Sequence, residues 1–290
     1  MLQNKRALPY LLLLPFLVFF AVPLIFSLCS MLMQSFGIMP GIGLDELTLN
    51  YYVDVLDSGT FYSSLGFSIA LSAIASLLAV GLGFAIAFIL AEGKEEGMIM
   101  SILRLPILLP HFTAAFLIFL LLSQSGLASR VMKSFGLIAN IEEFPKLIFD
   151  SQGLGIMISY IWKEVPFCIL FIYPTLKLIN KGLREAAYTL GANKFQYLWM
   201  VALPVCKPSI ISLFIILFAY NFGSFEVPFI LGASYPKAIG ILAYISYISA
   251  DIGSRPYTMA LNIMITAMGG MLIFVYIWLI RKIKTMEGQL

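Results

Sequence analysis

Charge is what this sequence has least of. Only 11% of its 290 residues are Asp, Glu, Lys or Arg, against roughly 25% in an ordinary globular domain. With 61% hydrophobic residues, too little polarity remains to tile a soluble surface. A soluble enzyme, a disordered chain and a disulfide scaffold are thereby excluded. Histidine occurs once, at His111, and cysteine three times, at Cys29, Cys168 and Cys206. No CxxC or Cys/His spacing exists, which argues against a zinc site and leaves the cysteines as small apolar residues or inert thiols. No GxxxxGK(S/T) phosphate loop occurs, so the chain does not cradle ATP phosphates by that device. His111, after Leu109 and Pro110, has no catalytic partner in sight and reads as a satisfied or interfacial residue. A net charge of +3 is too small to suggest nucleic acid.

What the sequence has is length of apolar run. A membrane-crossing helix needs about 20 mostly apolar residues, and six windows qualify: 8–33, 61–91, 105–123, 154–178, 209–231 and 257–280. The runs are continuous, whereas a β-barrel alternates over segments of about 10 residues. The expected fold is an all-α membrane protein of six helices, forming a single domain over 1–290. Lys5 and Arg6 before the first run mimic a signal peptide, but the run is too long for one and is interrupted by Pro9, Pro15 and Pro23, so a retained span is expected. Twelve Lys and Arg residues, among them Lys5, Arg6, Lys94, Lys181 and Arg184, fall on one side of this arrangement and five on the other. The first loop of the poorer side carries Asp45, Glu46, Asp54 and Asp57 without a basic residue. Both termini are therefore expected in the cytoplasm.

Two loops are long. Residues 124–153, on the outer side, mix charges with short apolar pieces and suit small helices. Residues 179–208, on the inner side, carry the strongest signal. Leu183, Ala186, Ala187 and Leu190 lie at i, i+3, i+4 and i+7, one face of a short helix, and Gly191 follows as a helix-ending glycine would. A second short helix over Phe195, Leu198 and Trp199 is expected to break at Pro204. The pattern is a helix–turn–helix at the membrane surface with a small-residue patch at Ala186 and Ala187.

Glu185-Ala186-Ala187, three residues, Gly191, nine residues, Val201, one residue and Leu203-Pro204 resemble the EAA motif of the permease subunits of type I ABC importers, with Val201 as a conservative departure. The resemblance implies a six-helix permease core. It also implies a coupling helix docking on cytoplasmic ATPase subunits, with Glu185, Ala186, Ala187, Leu190, Gly191, Ala192, Leu203 and Pro204 as the coupling residues. It implies two ATPase subunits that hold the ATP and Mg, leaving this chain no enzyme and without a cofactor of its own. A second permease, a paralogue in this branch, and an extracytoplasmic binding protein complete the implied assembly.

Ionisable residues inside spans default to functional candidates. Glu164 in the fourth span and Glu226 in the expected fifth each precede a proline by two residues, inviting kinks and freed backbone groups around a cavity. Trp162, Glu164, Tyr220, Asn221 and Glu226 are the candidate solute pathway. Two carboxylates facing one cavity would suit a cation; the bland alternative pairs Lys163 with one of them. The stretches 162–167 and 225–232 resemble the spermidine/putrescine-type branch, which also includes relatives assigned to phosphonates, so a polyamine or another small polar solute is expected. On the second span, Ala75, Ala79, Gly83 and Ala87 recur every four residues as a packing ridge, and Gly269-Gly270 reads as packing or a hinge. A stand-alone secondary transporter is the alternative from another class, but no internal six-helix repetition is visible.

Overall fold

The computed structural model describes residues 8–93, 97–179, 181–249 and 251–287. Lys5, Arg6 and Lys94 lie outside the described residues. Among the described residues thirteen α-helices follow one another: α1 (Leu8–Ser35), α2 (Asn50–Asp57), α3 (Gly59–Glu92), α4 (Gly97–Leu108), α5 (His111–Leu122), α6 (Leu127–Ser134), α7 (Leu154–Leu178), α8 (Lys181–Thr189), α9 (Lys194–Tyr197), α10 (Leu203–Gly223), α11 (Glu226–Leu231), α12 (Ile239–Tyr247) and α13 (Arg255–Glu287). Among the described residues, six helical stretches are long and apolar enough to cross a membrane, in the six places the hydropathy indicates. Two compact units are distinguished, Met1–Phe61 with Ala243–Met268, and Tyr62–Leu242 with Gly269–Leu290.

In the first unit, α1 runs unbroken through Pro15 and Pro23, so these prolines do not interrupt the helix as the sequence suggested; proline is tolerated in membrane helices where freed groups are satisfied again nearby. Its C-terminal end is tied down. Ser35 Oγ lies 2.7 Å from Tyr52 Oη and donates to Leu32 O at 2.7 Å, and Thr48 N donates to Phe36 O at 2.8 Å. At the start of α13, Thr258 Oγ1 donates to Ser246 O at 3.1 Å, and the Arg255 guanidinium sits 4.5 Å from the Tyr247 ring centre.

The second unit is built around α7, which packs against α4, α5, α10 and α11. The small-residue ridge of α3 packs against this helix. Ala75, Ala79 and Ala87 are fully buried, and a Cβ added at Gly83 would run into Cys168 Cβ of α7. Ala79, Val80, Cys168, Ile169 and Leu213 share one apolar cluster; Leu71, Ala75, Ile156, Tyr160 and Leu231 share another. Gly269 and Gly270 differ from this ridge, since among the described residues an added Cβ at either meets nothing within 4 Å. Cys168 and Cys206 are buried free thiols, and Cys29 is an exposed one.

Two spans depart from the expected bounds. The third is discontinuous: α4 ends at Leu108, and α5 begins at His111 after Pro110 in an extended conformation. Proline supplies no N–H and pushes the preceding residue out of helical geometry, so the apolar run continues while the helix stops. The fifth begins earlier and ends earlier than 209–231. It closes at Gly223, Ser224 is extended, and α11 follows as a separate short helix. The 124–153 loop holds α6 and a 3-10 turn at Ile141–Glu143, the small helices anticipated there.

Candidate functional site

The broken third span leaves backbone carbonyls without helical partners, which is costly in an apolar medium. Lys163 of α7 answers them. Its Nζ donates to Leu109 O and, at 3.5 Å, to Pro106 O, and the residue is only 7% exposed. Among the described residues no ion pair joins Lys163 to Glu164 or Glu226, so the bland alternative, a lysine–carboxylate pair, gives way to a cation at a helix C-terminus. Lys163→Met should strand these carbonyls and lower stability by about 1–3 kcal/mol. A fall in the thermal midpoint of the detergent-purified protein would register this; an unchanged midpoint would show that the carbonyls find other donors.

Beside this break lies a cavity of about 460 Å³, bounded by residues 107–111, by Lys163, Glu164 and Phe167 of α7, and by Ile216, Leu217 and Tyr220 of α10. Glu164 is 3% exposed, and neither carboxylate oxygen makes a hydrogen bond among the described residues. Asn221 is buried next to Tyr220; its Nδ2 donates to Ser76 Oγ at 3.1 Å, while its Oδ1 has no hydrogen-bond partner among the described residues. The His111 and Tyr220 rings lie 4.7 Å apart, and His111 Nδ1 is buried without a hydrogen-bond partner among the described residues; of the satisfied or interfacial residue the sequence suggested, the half-buried position suits the second. Of the five pathway candidates, Glu164 and Tyr220 line the cavity and Asn221 adjoins it. Trp162 and Glu226 do not line it. Glu226 is exposed in the first turn of α11, because the span that was to carry it ends three residues earlier. The cavity therefore holds one carboxylate rather than two. Lys163 and His111 line the cavity although the sequence reading placed neither in the solute pathway; Leu109-Pro110 inside an apolar run was the available signal.

The 179–208 loop is a second structured feature. Gly191 takes φ +86°, and Gly191 N donates to Tyr188 O and Ala192 N to Ala187 O, both at 3.0 Å. This pair of bonds is a Schellman ending. Asn193 and Gln196 then form a reciprocal capping box at 2.8 Å each. Glu185, Ala186, Leu190 and Gly191 are exposed, Ala187 and Ala192 half-buried. Phe195, Trp199 and Met200 add exposed apolar surface. Arg184 anchors α8 to the end of α3 by an ion pair with Glu92 at 3.2 Å, and Tyr188 Oη donates to Glu92 Oε2 at 3.3 Å; burial, together with the Glu92 charge, raises the Tyr188 hydroxyl above its usual pKa. Pro204 does not break the helix. Leu198–Ala202 forms a π turn that runs directly into α10, with Pro204 in the first turn, where a missing N–H costs least. Leu203 is half-buried and Pro204 exposed.

Residues 79–284 match the family described as the binding-protein-dependent transport system inner membrane component. The chain belongs to this family. The putative ferric transport system permease protein FbpB 1 of Haemophilus influenzae is 27% identical over 280 residues, 94% of this chain but 42% of that relative. The chain thus spans less than half of that protein's length. The spermidine/putrescine transport system permease protein PotB of Escherichia coli is 25% identical over 231 residues, 79% of this chain and 81% of that protein. A crystal structure of a bacterial alginate ABC transporter with a periplasmic protein superposes with a TM-score of 0.80 at 20% identity, covering 97% of this chain and 96% of that one. The resemblance to type I ABC importer permeases read from the loop agrees with this membership. The inner membrane permease has its cavity and its loop within the matched residues.

Proposed function

We propose that the chain is the transmembrane subunit of an ATP-driven importer, with the loop at 179–208 as its coupling element. The observation that carries this reading is the exposed α8 bearing Glu185 and Ala186, closed by Leu190 and Gly191 and followed, from Lys194, by a continuous helical column that runs to the wall of the cavity. In this reading both termini face the cytoplasm, and two ATPase subunits bind ATP and Mg and close beneath the loop. A second permease, a paralogue, completes the pathway, and an extracytoplasmic binding protein delivers the solute. Docked ATPase contacts at Glu185–Gly191 differ between the outward- and inward-facing states and so bias their equilibrium. This chain contributes the passage and hydrolyses nothing itself.

The solute reading is a small polar molecule carrying an amine, with a polyamine as the leading case. Supporting it are the likeness to a permease named for spermidine and putrescine and the buried, unpaired Glu164 in the cavity. The testing measurement is gentle extraction of the chain from its host's membranes, followed by mass spectrometry of what accompanies it. An ATPase and a second six-helix chain are expected. A chain recovered alone that transports without ATP in vesicles would make it a secondary carrier instead.

A further inference from the structure

Among the described side chains of α8, three turn inward. Arg184, Ala187 and Tyr188 are half-buried, whereas Leu183, Glu185, Ala186 and Thr189 are exposed. The three lie at i, i+3 and i+4 on one helical face, and two of them end on a single carboxylate. Arg184 Nη1 donates to Glu92 Oε1 at 3.2 Å, and Tyr188 Oη donates to Glu92 Oε2 at 3.3 Å. Each oxygen of Glu92 therefore holds a successive turn of α8. The Tyr188 ring lies 5.5 Å from that of Tyr197 in α9, which in turn lies 6.0 Å from Phe88 of α3.

Stability does not account for this arrangement. Glu92 is the last residue of α3, where a negative charge opposes the helix dipole. The ion pair is partly open to solvent, its side chains 37% and 20% exposed, and pairs of this kind contribute little to folding. Beside it a cleft of about 310 Å³ runs between the ends of α3 and α7, lined by Phe88, Glu92, Leu176, Ile179, Arg184 and Tyr197. On the side of the cleft α8 lacks close packing, and a helix of nine residues is marginal without it. The helical column that starts at Lys194 follows α8 in the chain and does not fix how α8 is turned.

We infer that Glu92 is a positioning residue for the coupling helix. By holding Arg184 and Tyr188 it sets the face that α8 offers to an ATPase, and it carries a displacement of α8 into α3. The close crossing of Gly83 on Cys168 then passes that displacement to α7 and so to the cavity wall. The inference rests on the coupling reading of the loop and adds to it a residue outside 179–208.

The test uses the full complex purified with its partners into lipid nanodiscs. Cys29→Ser removes the exposed thiol, and Ile216→Cys places a reporter in the cavity wall. The alkylation rate of that reporter by N-ethylmaleimide, read by mass spectrometry, is compared without nucleotide and with ATP, Mg and vanadate. With Glu92 intact, trapping should change the rate about fivefold or more. Glu92→Ala should abolish the change while an ATPase still co-purifies. Glu92→Arg combined with Arg184→Glu reverses the pair and should restore the change, which a merely loosened loop would not do. An undiminished change in Glu92→Ala, or a swapped pair no better than Glu92→Arg alone, would overturn the role of Glu92 and leave the importer standing. If Glu92→Ala does not assemble, the swapped pair measured against Arg184→Glu alone decides. No ATP-dependent change with Glu92 intact, or no ATPase recovered, would overturn the coupling reading and this inference with it.

Discussion

Glu185→Lys and Gly191→Pro are each expected to reduce solute uptake to background while the chain still reaches the membrane in normal amount. The Glu185 side chain is exposed and makes no hydrogen bond or ion pair among the described residues, so reversing its charge removes little from the fold. What it changes is the surface offered to a docking partner, where a like-charge or unmatched contact costs several kcal/mol. Gly191 acts differently. Its φ of +86° is closed to proline, whose ring fixes φ near −65°, and its N–H donates to Tyr188 O. Proline removes the bond and the conformation together, so α8 loses its ending and its orientation toward α9. Gly191→Asn is the control, since asparagine tolerates the left-handed region, and it should retain most uptake. Uptake into cells and the amount of chain in the membrane fraction are the two readings. Normal uptake by both Glu185→Lys and Gly191→Pro would remove the coupling role of the loop.

Gly83→Leu should have the largest effect on the fold itself. A Cβ alone at this position meets the Cβ of Cys168, and the surrounding Ala79, Ala87 and Ile169 are fully buried, so no side chain can swing aside. Helices α3 and α7 must separate, at a cost of about 1–3 kcal/mol or more for overpacking. Because α7 also carries Lys163 and Glu164, the separation disturbs the cavity along with the core. The expected result is a lower thermal midpoint in detergent and a smaller folded peak on size exclusion. The milder Gly83→Ala should be rescued in part by Cys168→Gly on the facing helix, and absence of any rescue would place the strain elsewhere.

Much of this architecture can be read without coordinates, because a bilayer imposes a length requirement that six apolar runs meet directly. The α3 ridge was equally legible, since a four-residue spacing of small side chains lies on one helical face whatever the tertiary fold. Helix interruptions were not. Hydropathy averages over a window, and Ser224 and Phe225 hardly lower the average between α10 and α11, so one span was drawn where there are two elements and Glu226 was drawn into it. The break at Leu109-Pro110 was hidden in the same way. Lys163 was noticed as a charge in a span, but its partners are carbonyls more than fifty residues earlier in the chain, and no local spacing encodes that meeting. In the loop, the helix over 183–190 and its glycine ending at Gly191 were legible because that signal is local, whereas the continuation through Pro204 was not, since a proline that breaks a helix and one in a first helical turn look alike in sequence.

The column from Lys194 to Gly223 contains no non-helical residue over its 30 residues, about 45 Å at 1.5 Å per residue. One end is the exposed loop, and the other carries Tyr220 and Asn221 beside the cavity. Surface and cavity thus share a single strut, and thermodynamic linkage makes any coupling through it symmetrical. Whatever factor occupancy of the loop imposes on affinity in the cavity, occupancy of the cavity imposes on affinity at the loop, so a titration at either end measures the other.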